Sequence, residues 1–347
     1  MRYIKIFSLA AFVLLAFTVT AQQPTIKILE SGKRVSIRGL SVVSDQVIWA
    51  SGSGGWVAKS VDGGNTFTWM KVPGYEKNDF RDIEAFDENT AIIMGITEPA
   101  VLLKTIDGGK NWKKVFEDTT KGAFWDAMDF TDRNKGVLIG DPINHAFYTA
   151  LTNDGGNTWH QVSLTSPKET TNLSPKEGEA FFASSGTNIK MLGNHPIYVS
   201  GGKASRLFFR PMDTIPLPIM QGKESTGANS IAVFDLYHGV IVGGDFAKDT
   251  ISNNNCVLFE IPINSFFHEP IRFWVPKTPP HGYRSCVIYL TKKKLLTCGT
   301  SGIDISKDGG MNWELISKES YHVCQKAKKG KAVFLAGGNG RIAKLIM

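Results

Sequence analysis

Four segments of this chain follow one pattern, S/T-x-D-G-G-x-T/N-W/F. They are Ser60 to Phe67 (SVDGGNTF), Thr105 to Trp112 (TIDGGKNW), Thr152 to Trp159 (TNDGGNTW) and Ser306 to Trp313 (SKDGGMNW). The pattern carries its own geometry. An Asp carboxylate accepts hydrogen bonds from backbone N–H groups of its own turn. The Gly pair permits positive φ. The closing Trp or Phe starts a strand and supplies a large apolar anchor. Each segment therefore reads as a turn between two antiparallel strands. The repeated acids, Asp62, Asp107, Asp154 and Asp308, are separated by 45, 47 and 154 residues. The last interval has room for about three units of the same length, so two units there have lost the motif.

Two further registers keep this period. One is an apolar or β-branched run, in most units closing on Gly. It occurs seven times: at Val47 to Trp49, Ala91 to Gly95, Val137 to Gly140, Ile197 to Gly201, Val240 to Gly243, Leu295 to Gly299 and Val333 to Gly337. The other precedes each run. Tyr283-Arg284-Ser285-Cys286 matches Tyr321-His322-Val323-Cys324, and Ile37-Arg38, Phe80-Arg81, Phe124-Trp125, Gly178-Glu179 and Ala228-Asn229 fit the same frame. Each unit is then four strands: A in this register, B in the apolar run, C entering the D-G-G turn and D leaving it. Four antiparallel strands in about 45 residues is a propeller blade. The expected fold is all-β, a seven-bladed β-propeller, with six or eight blades as the alternatives. The last unit stops after its strand C, Arg341 to Ile346. A free strand, Thr25 to Leu29, precedes the first strand A. Pairing the two would close the ring and remove both edges.

Residues 1–21 read as a cleaved signal peptide. Arg2 and Lys5 form its basic start, Ile6 to Val19 is apolar, and cleavage is expected after Ala21. Residues 22–347 then form a single domain, secreted or periplasmic. No later stretch is long and apolar enough to span a bilayer. Loss of Arg2 and Lys5 lowers the formal charge from +7 to +5. That mild excess, on an exported chain without long basic runs, argues against nucleic acid. A monomer is expected. The cysteines are Cys256, Cys286, Cys298 and Cys324. Four cysteines allow three connectivities, and reduced buried thiols are an equal alternative. Metal spacing is absent, and no cofactor or metal is expected.

The D-G-G segments resemble the Asp-box (BNR) repeats of sialidases and of YCF48-like photosystem II stability/assembly factors. Four such segments on short blades behind a signal peptide look most like the secreted YCF48-like proteins, over residues 30 to 347. That resemblance implies a non-catalytic module assisting the assembly of another protein; the sialidase branch implies a glycoside hydrolase. In either case the acids of the boxes are scaffold.

Blade connectivity puts the D-G-G turns and A–B turns on one face and the long connections on the other. Ligands meet the end where loops are long. Strand A starts at that end beside the axis. Read blade by blade, its first residues are Arg38, Arg81, Trp125, Glu179, Asn229, Arg284 and His322, with Asp82, Asp126 and Ser285 one step further in. Asp141 and Asp245 lie in B–C loops at the same face. Charges near an axis must be paired or wet. Two readings are open. The ring pairs with itself and locks the blades, or it forms a polar ligand site. Arg38, Arg81 and Arg284 come from different blades and would make an anion clamp of the sialidase kind. The expected function is a secreted, non-catalytic binding or assembly module holding an extracytoplasmic protein or glycan. The alternative is a glycoside hydrolase acting on an anionic glycan, with two of Asp82, Asp126, Glu179 and Asp245 as its carboxyl pair.

Overall fold

The computed structural model describes residues 23–96, 98–162, 172–193, 195–209, 214–262 and 270–347. The expected signal peptide and its expected cleavage after Ala21 lie outside the described residues. Strands are the only regular elements among those described, and they form seven antiparallel sheets, the blades of a seven-bladed propeller. The innermost strands are Ile37–Val42, Phe80–Ala85, Trp125–Phe130, Ile189–Leu192, Thr226–Val233, Cys286–Tyr289 and Val323–Lys326. The period of about 45 residues is thus one blade per repeat. Second strands such as Ile48–Gly52 and Ala91–Gly95 are buried along their whole length. They lie mid-sheet with a blade on each side, which is why their sequence is an unbroken apolar run rather than an alternation.

The ring closes as expected. Thr25–Glu30 pairs antiparallel with Ile342–Ile346, from Thr25 opposite Ile346 to Glu30 opposite Ile342. One apolar cluster spans this joint, uniting Ile37 and Leu40 of blade 1, Phe334 and Leu335 of blade 7 and Cys286 of blade 6.

The four D-G-G segments are C–D turns with one bonding pattern. In the first, Asp62 Oδ1 accepts from the Thr66 amide at 3.0 Å and the Ser60 hydroxyl at 2.8 Å, and Oδ2 from the Thr66 hydroxyl at 2.7 Å. The Ser60 hydroxyl in turn accepts from Gly64 N at 3.0 Å. Gly63 and Gly64 sit at φ +73° and +89°, where a Cβ would be strained. The Thr66 amide, helped by the two hydroxyls, brings the Asp62 carboxyl down to about 2. Asn111 does the same for Asp107. At Asp154 burial opposes the effect, but Thr158 outweighs it and that carboxyl also falls to about 2. Asp308 is lowered by Asn312 against partial burial.

Blade 4 departs from the expected frame. Its innermost strand is Ile189–Leu192, not the segment around Glu179. Glu179–Ala180 pairs instead with Gly201–Gly202, and that ribbon extends the inner edge of the blade 5 sheet. Between Ala180 and Ile189 the chain crosses the axis. Ser184 Oγ donates to Asn229 of blade 5 at 2.9 Å, Ser185 Oγ to the Ser285 carbonyl of blade 6 at 2.7 Å, and Thr187 Oγ1 to Ser230 Oγ at 2.7 Å. Gly186 stands against blade 2, where a Cβ would fall 2.4 Å from the Asp82 carboxyl. Small hydroxyl residues suit this crossing because each satisfies a partner on another blade. The result is a plug that separates the two ends of the channel.

Candidate functional site

In blades 1, 2, 3 and 5 the innermost strand carries a register shift at one residue, between Ile37 and Gly39, Phe80 and Asp82, Trp125 and Ala127, and Ala228 and Ser230. The unpaired residues are Arg38, Arg81, Asp126 and Asn229. A bulge re-aims one side chain without ending the strand. Each lies four residues before the end of its strand, and the same count gives Asn188, Ser285 and His322 in blades 4, 6 and 7. This ring corrects the expected one at three places. Trp125, Glu179 and Arg284 are replaced by Asp126, Asn188 and Ser285.

Five of the seven, Arg38, Arg81, Asn229, Ser285 and His322, line a cavity of about 480 Å³ at the loop-rich mouth, with Asp141 and Ser184 beside them. Aromatic rings line the same cavity. Phe182 meets Phe246 edge to face at 5.7 Å, and Phe246 meets Tyr283 at 6.3 Å. Phe246 is 48% exposed, a large apolar ring left in water at the rim. Tyr283 is held by its hydroxyl, which donates to Asn229 at 2.7 Å.

The cations are unevenly matched. Arg81 Nε bonds Asp79 at 2.8 Å, and its guanidinium lies 5.9 Å from the Phe124 ring centre. Arg38 donates from Nη1 to the Ser184 carbonyl at 3.3 Å and, among the described residues, forms no ion pair. Burial and the neighbouring Arg81 charge lower its pKa. Burial, then Arg38 and Arg81, press the His322 pKa down to about 3 and keep that ring neutral. Its Nδ1 has no partner among the described residues. Asp141 accepts from the Phe181 amide at 2.8 Å, and burial lifts its carboxyl to about 6. Asp126 is fully buried, and burial together with the Asp141 charge raises it well above the usual range. The mouth therefore presents one unmatched guanidinium beside a second, with Asp141 beside them ionising only as pH rises through about 6 and Asp126 buried next to it.

The remaining expected residues lie elsewhere. Arg284 is turned into blade 6 and wholly buried against Asp304. The three-arginine clamp does not form. Glu179 is buried against Arg206, which donates Nε at 2.8 Å and Nη2 at 2.6 Å. Asp82 lies behind the plug, accepting from the amides of Ile83 and Met128 at 2.8 Å each, with its carboxyl raised by burial to about 8. It faces a small space on the other side, with Glu84, Asp129, Lys190 and Lys328. Asp245 caps its own loop through the Ala247 amide at 3.0 Å. Its burial is outweighed by the Ser225 hydroxyl and the amides, so its pKa is lowered. Of the four acids expected as a carboxyl pair, only Asp126 is near the mouth, and its neighbour there is Asp141.

Sequence reading missed Asp304 and Arg206. A signal for Asp304 exists: an acid between Ile303 and Ile305, on a strand buried throughout, demands a cation. The plug and the aromatic wall of Phe182, Phe246 and Tyr283 have no local sequence signature.

Comparison with protein-family models gives no match, and neither does comparison with curated proteins. Solved structures do resemble the chain. One described as YCF48 bound to D1 peptide aligns over 93% of this chain and 95% of its own, at TM-score 0.64 and 15% identity. YCF48 from Cyanidioschyzon merolae aligns over 92% and 98%, at 0.64 and 18%. The WD40 propeller domain of Doa1 aligns over 93% and 97%, at 0.60 and 12%. At such identities the likeness is one of fold, shared between two kinds of propeller, and the site must be argued from its own residues.

Proposed function

We propose that this chain is a non-catalytic binding or assembly module that holds a protein partner at the loop-rich mouth and acts outside the cytoplasm. The partner offers a carboxylate to Arg38 and Arg81 and an apolar side chain to Phe182, Phe246 and Tyr283. The observation that carries this reading is Arg38. A guanidinium with one long hydrogen bond, next to a second cation and at the wall of an open cavity, is costly in the free protein. An anion in the cavity would offset that cost, and a planar carboxylate matches the guanidinium fork. The likeness to the structure of YCF48 bound to D1 peptide supports a peptide partner. Export is supported by the basic and apolar start of the chain.

The hydrolase alternative is weakened. Arg284 is unavailable to an anion clamp, and Asp82, Glu179 and Asp245 are tied up away from the mouth. The test is a peptide array in which Asp and Glu are exchanged for Asn and Gln beside aromatic residues. Binding is expected only to the acidic members and only with Arg38 and Arg81 intact. Equal binding by an Arg38→Ala/Arg81→Ala variant would refute the assignment. Turnover of a fluorogenic sialoside or hexoside, lost in Asp141→Asn, would favour the hydrolase.

A further inference from the structure

Three of the four cysteines meet at one point. Cys286 lies on the innermost strand of blade 6, Cys298 is its cross-strand partner on the next strand, and Cys324 lies on the innermost strand of blade 7. All three are wholly buried. Cys324 Sγ is 3.7 Å from Cys286 Sγ. The two residues are already coupled through the backbone: the Cys324 amide donates to Cys286 Sγ at 3.4 Å, and the Cys286 thiol donates to the Cys324 carbonyl at 3.3 Å. Neither sulfur has a part in the mouth cavity, which lies nearer Ser285 and His322.

We infer that Cys286 and Cys324 are a disulfide-forming pair that staples blade 6 to blade 7 when the chain folds in the presence of a disulfide oxidant. A disulfide between them asks the two sulfurs to close from 3.7 Å to about 2 Å. The same three thiols as a metal site fit less well, since no group of three His, Cys, Asp or Glu among the described residues is arranged to hold an ion. Cys298 is the competing partner. It faces Cys286 across the ladder within one blade, and a link there would join strands already paired. The link to Cys324 joins two sheets that otherwise meet through side-chain packing and scattered hydrogen bonds, such as Ser285 Oγ to the His322 carbonyl at 2.6 Å and the Tyr321 amide to the Gly299 carbonyl at 3.1 Å.

The chemistry is two thiol–disulfide exchanges. The Cys286 thiolate attacks one sulfur of a small or protein disulfide, forming a mixed disulfide and expelling a thiolate. The Cys324 thiolate then attacks Cys286 Sγ, closing the protein disulfide and expelling the second thiolate. Two cysteine thiols are oxidised, one external disulfide is reduced to two thiols, and the two protons pass to those products. Because the folded ring buries both sulfurs, the exchange belongs to folding, before blade 7 docks.

The test is oxidative refolding of the full chain. Reduced, unfolded protein is refolded with oxidised and reduced glutathione, then unfolded under acid, alkylated and mapped by mass spectrometry without reduction. The expected result is two alkylated cysteines, Cys256 and Cys298, and one peptide pair joining Cys286 to Cys324. Four alkylated cysteines, or a Cys286–Cys298 link, would overturn the inference. Cys298→Ser serves as a second measurement: it keeps the link if Cys324 is the partner and abolishes it if Cys298 is. The buffer supplies the oxidant, so failure here is distinct from failure of the proposal that the chain is exported.

Discussion

Arg284 and Asp304 are wholly buried and bonded to one another, the guanidinium giving Nε to Asp304 Oδ2 at 2.7 Å and Nη2 to the same oxygen. The remaining donors go to Tyr283 and His281 carbonyls and the Ser301 hydroxyl, at 2.8, 3.0 and 2.7 Å. The other carboxylate oxygen meets His281 Nδ1 at 2.6 Å. The guanidinium is fully used, and this clasp belongs to the scaffold. Asp304→Ala leaves a buried unpaired cation and is expected to cost roughly 3–5 kcal/mol in chemical denaturation. Arg284→Met combined with Asp304→Leu is expected to cost less than that single change. Additive losses would show that the pair is not the unit it looks like.

Arg38 should behave in the opposite way. It has one long hydrogen bond and a like charge beside it. Arg38→Met is expected to leave stability within about 0.5 kcal/mol of the parent, or above it. The same change should abolish binding of an acidic peptide. A large stability loss with binding retained would make Arg38 structural.

Stability should depend on pH from two directions. Asp141 is raised to about 6 in the folded chain, so folding takes up a proton and the associated stability is present at low pH and lost as pH rises through about 6. Asp141→Asn is expected to be the more stable protein above pH 7, by on the order of 2 kcal/mol, and to flatten the profile between pH 4 and 6. Asp62, Asp107 and Asp154 are depressed to about 2, so their contribution is present above the ordinary carboxylate range and lost as pH falls toward 2. Urea midpoints measured across pH for the parent and Asp141→Asn check both limbs. An unchanged slope above pH 4 in the variant would contradict the first.

Peptide affinity should follow the same group. At pH 5 Asp141 is mostly neutral and the cavity more positive, so an acidic ligand is expected to bind several-fold tighter than at pH 7. Asp141→Asn should remove the pH dependence. Isothermal titration at both pH values decides this, and a parent-like pH dependence in the variant would assign it to another group.

Deleting residues 25–30 bares the edge of Ile342–Ile346. An open edge of this kind recruits strands from other chains. Size-exclusion chromatography is expected to show oligomers, and a clean monomer would mean the edge is protected in another way.

Much of the fold was legible because the D-G-G turns recur in four blades and the apolar second strands in all seven. The site was legible only in part. The frame placed Arg38 and Arg81 correctly because a bulge sits at the same count from the strand end in their blades. It misplaced Trp125 and Arg284 by one residue, and a one-residue slip sends a side chain to the other face. Trp125 instead stacks on Phe116 at 5.4 Å. Glu179 was misplaced for a different reason. Blade 4 takes its inner strand from Ile189 after the plug, and a segment that satisfies its hydrogen bonds on blades 1, 3, 5 and 6 leaves no periodic trace.

The pairing of Thr25–Glu30 with Ile342–Ile346 also sets a schedule. The first strand of the ring finds its neighbour only once Ile342–Ile346 has been made. Contacts this distant along the chain are slow to form. Until then the nascent chain carries an open arc of blades with two unsatisfied rims, the stage at which such a protein is most exposed to misassembly. Any factor that helps this protein fold would therefore act once the seventh blade has been made, at the seam.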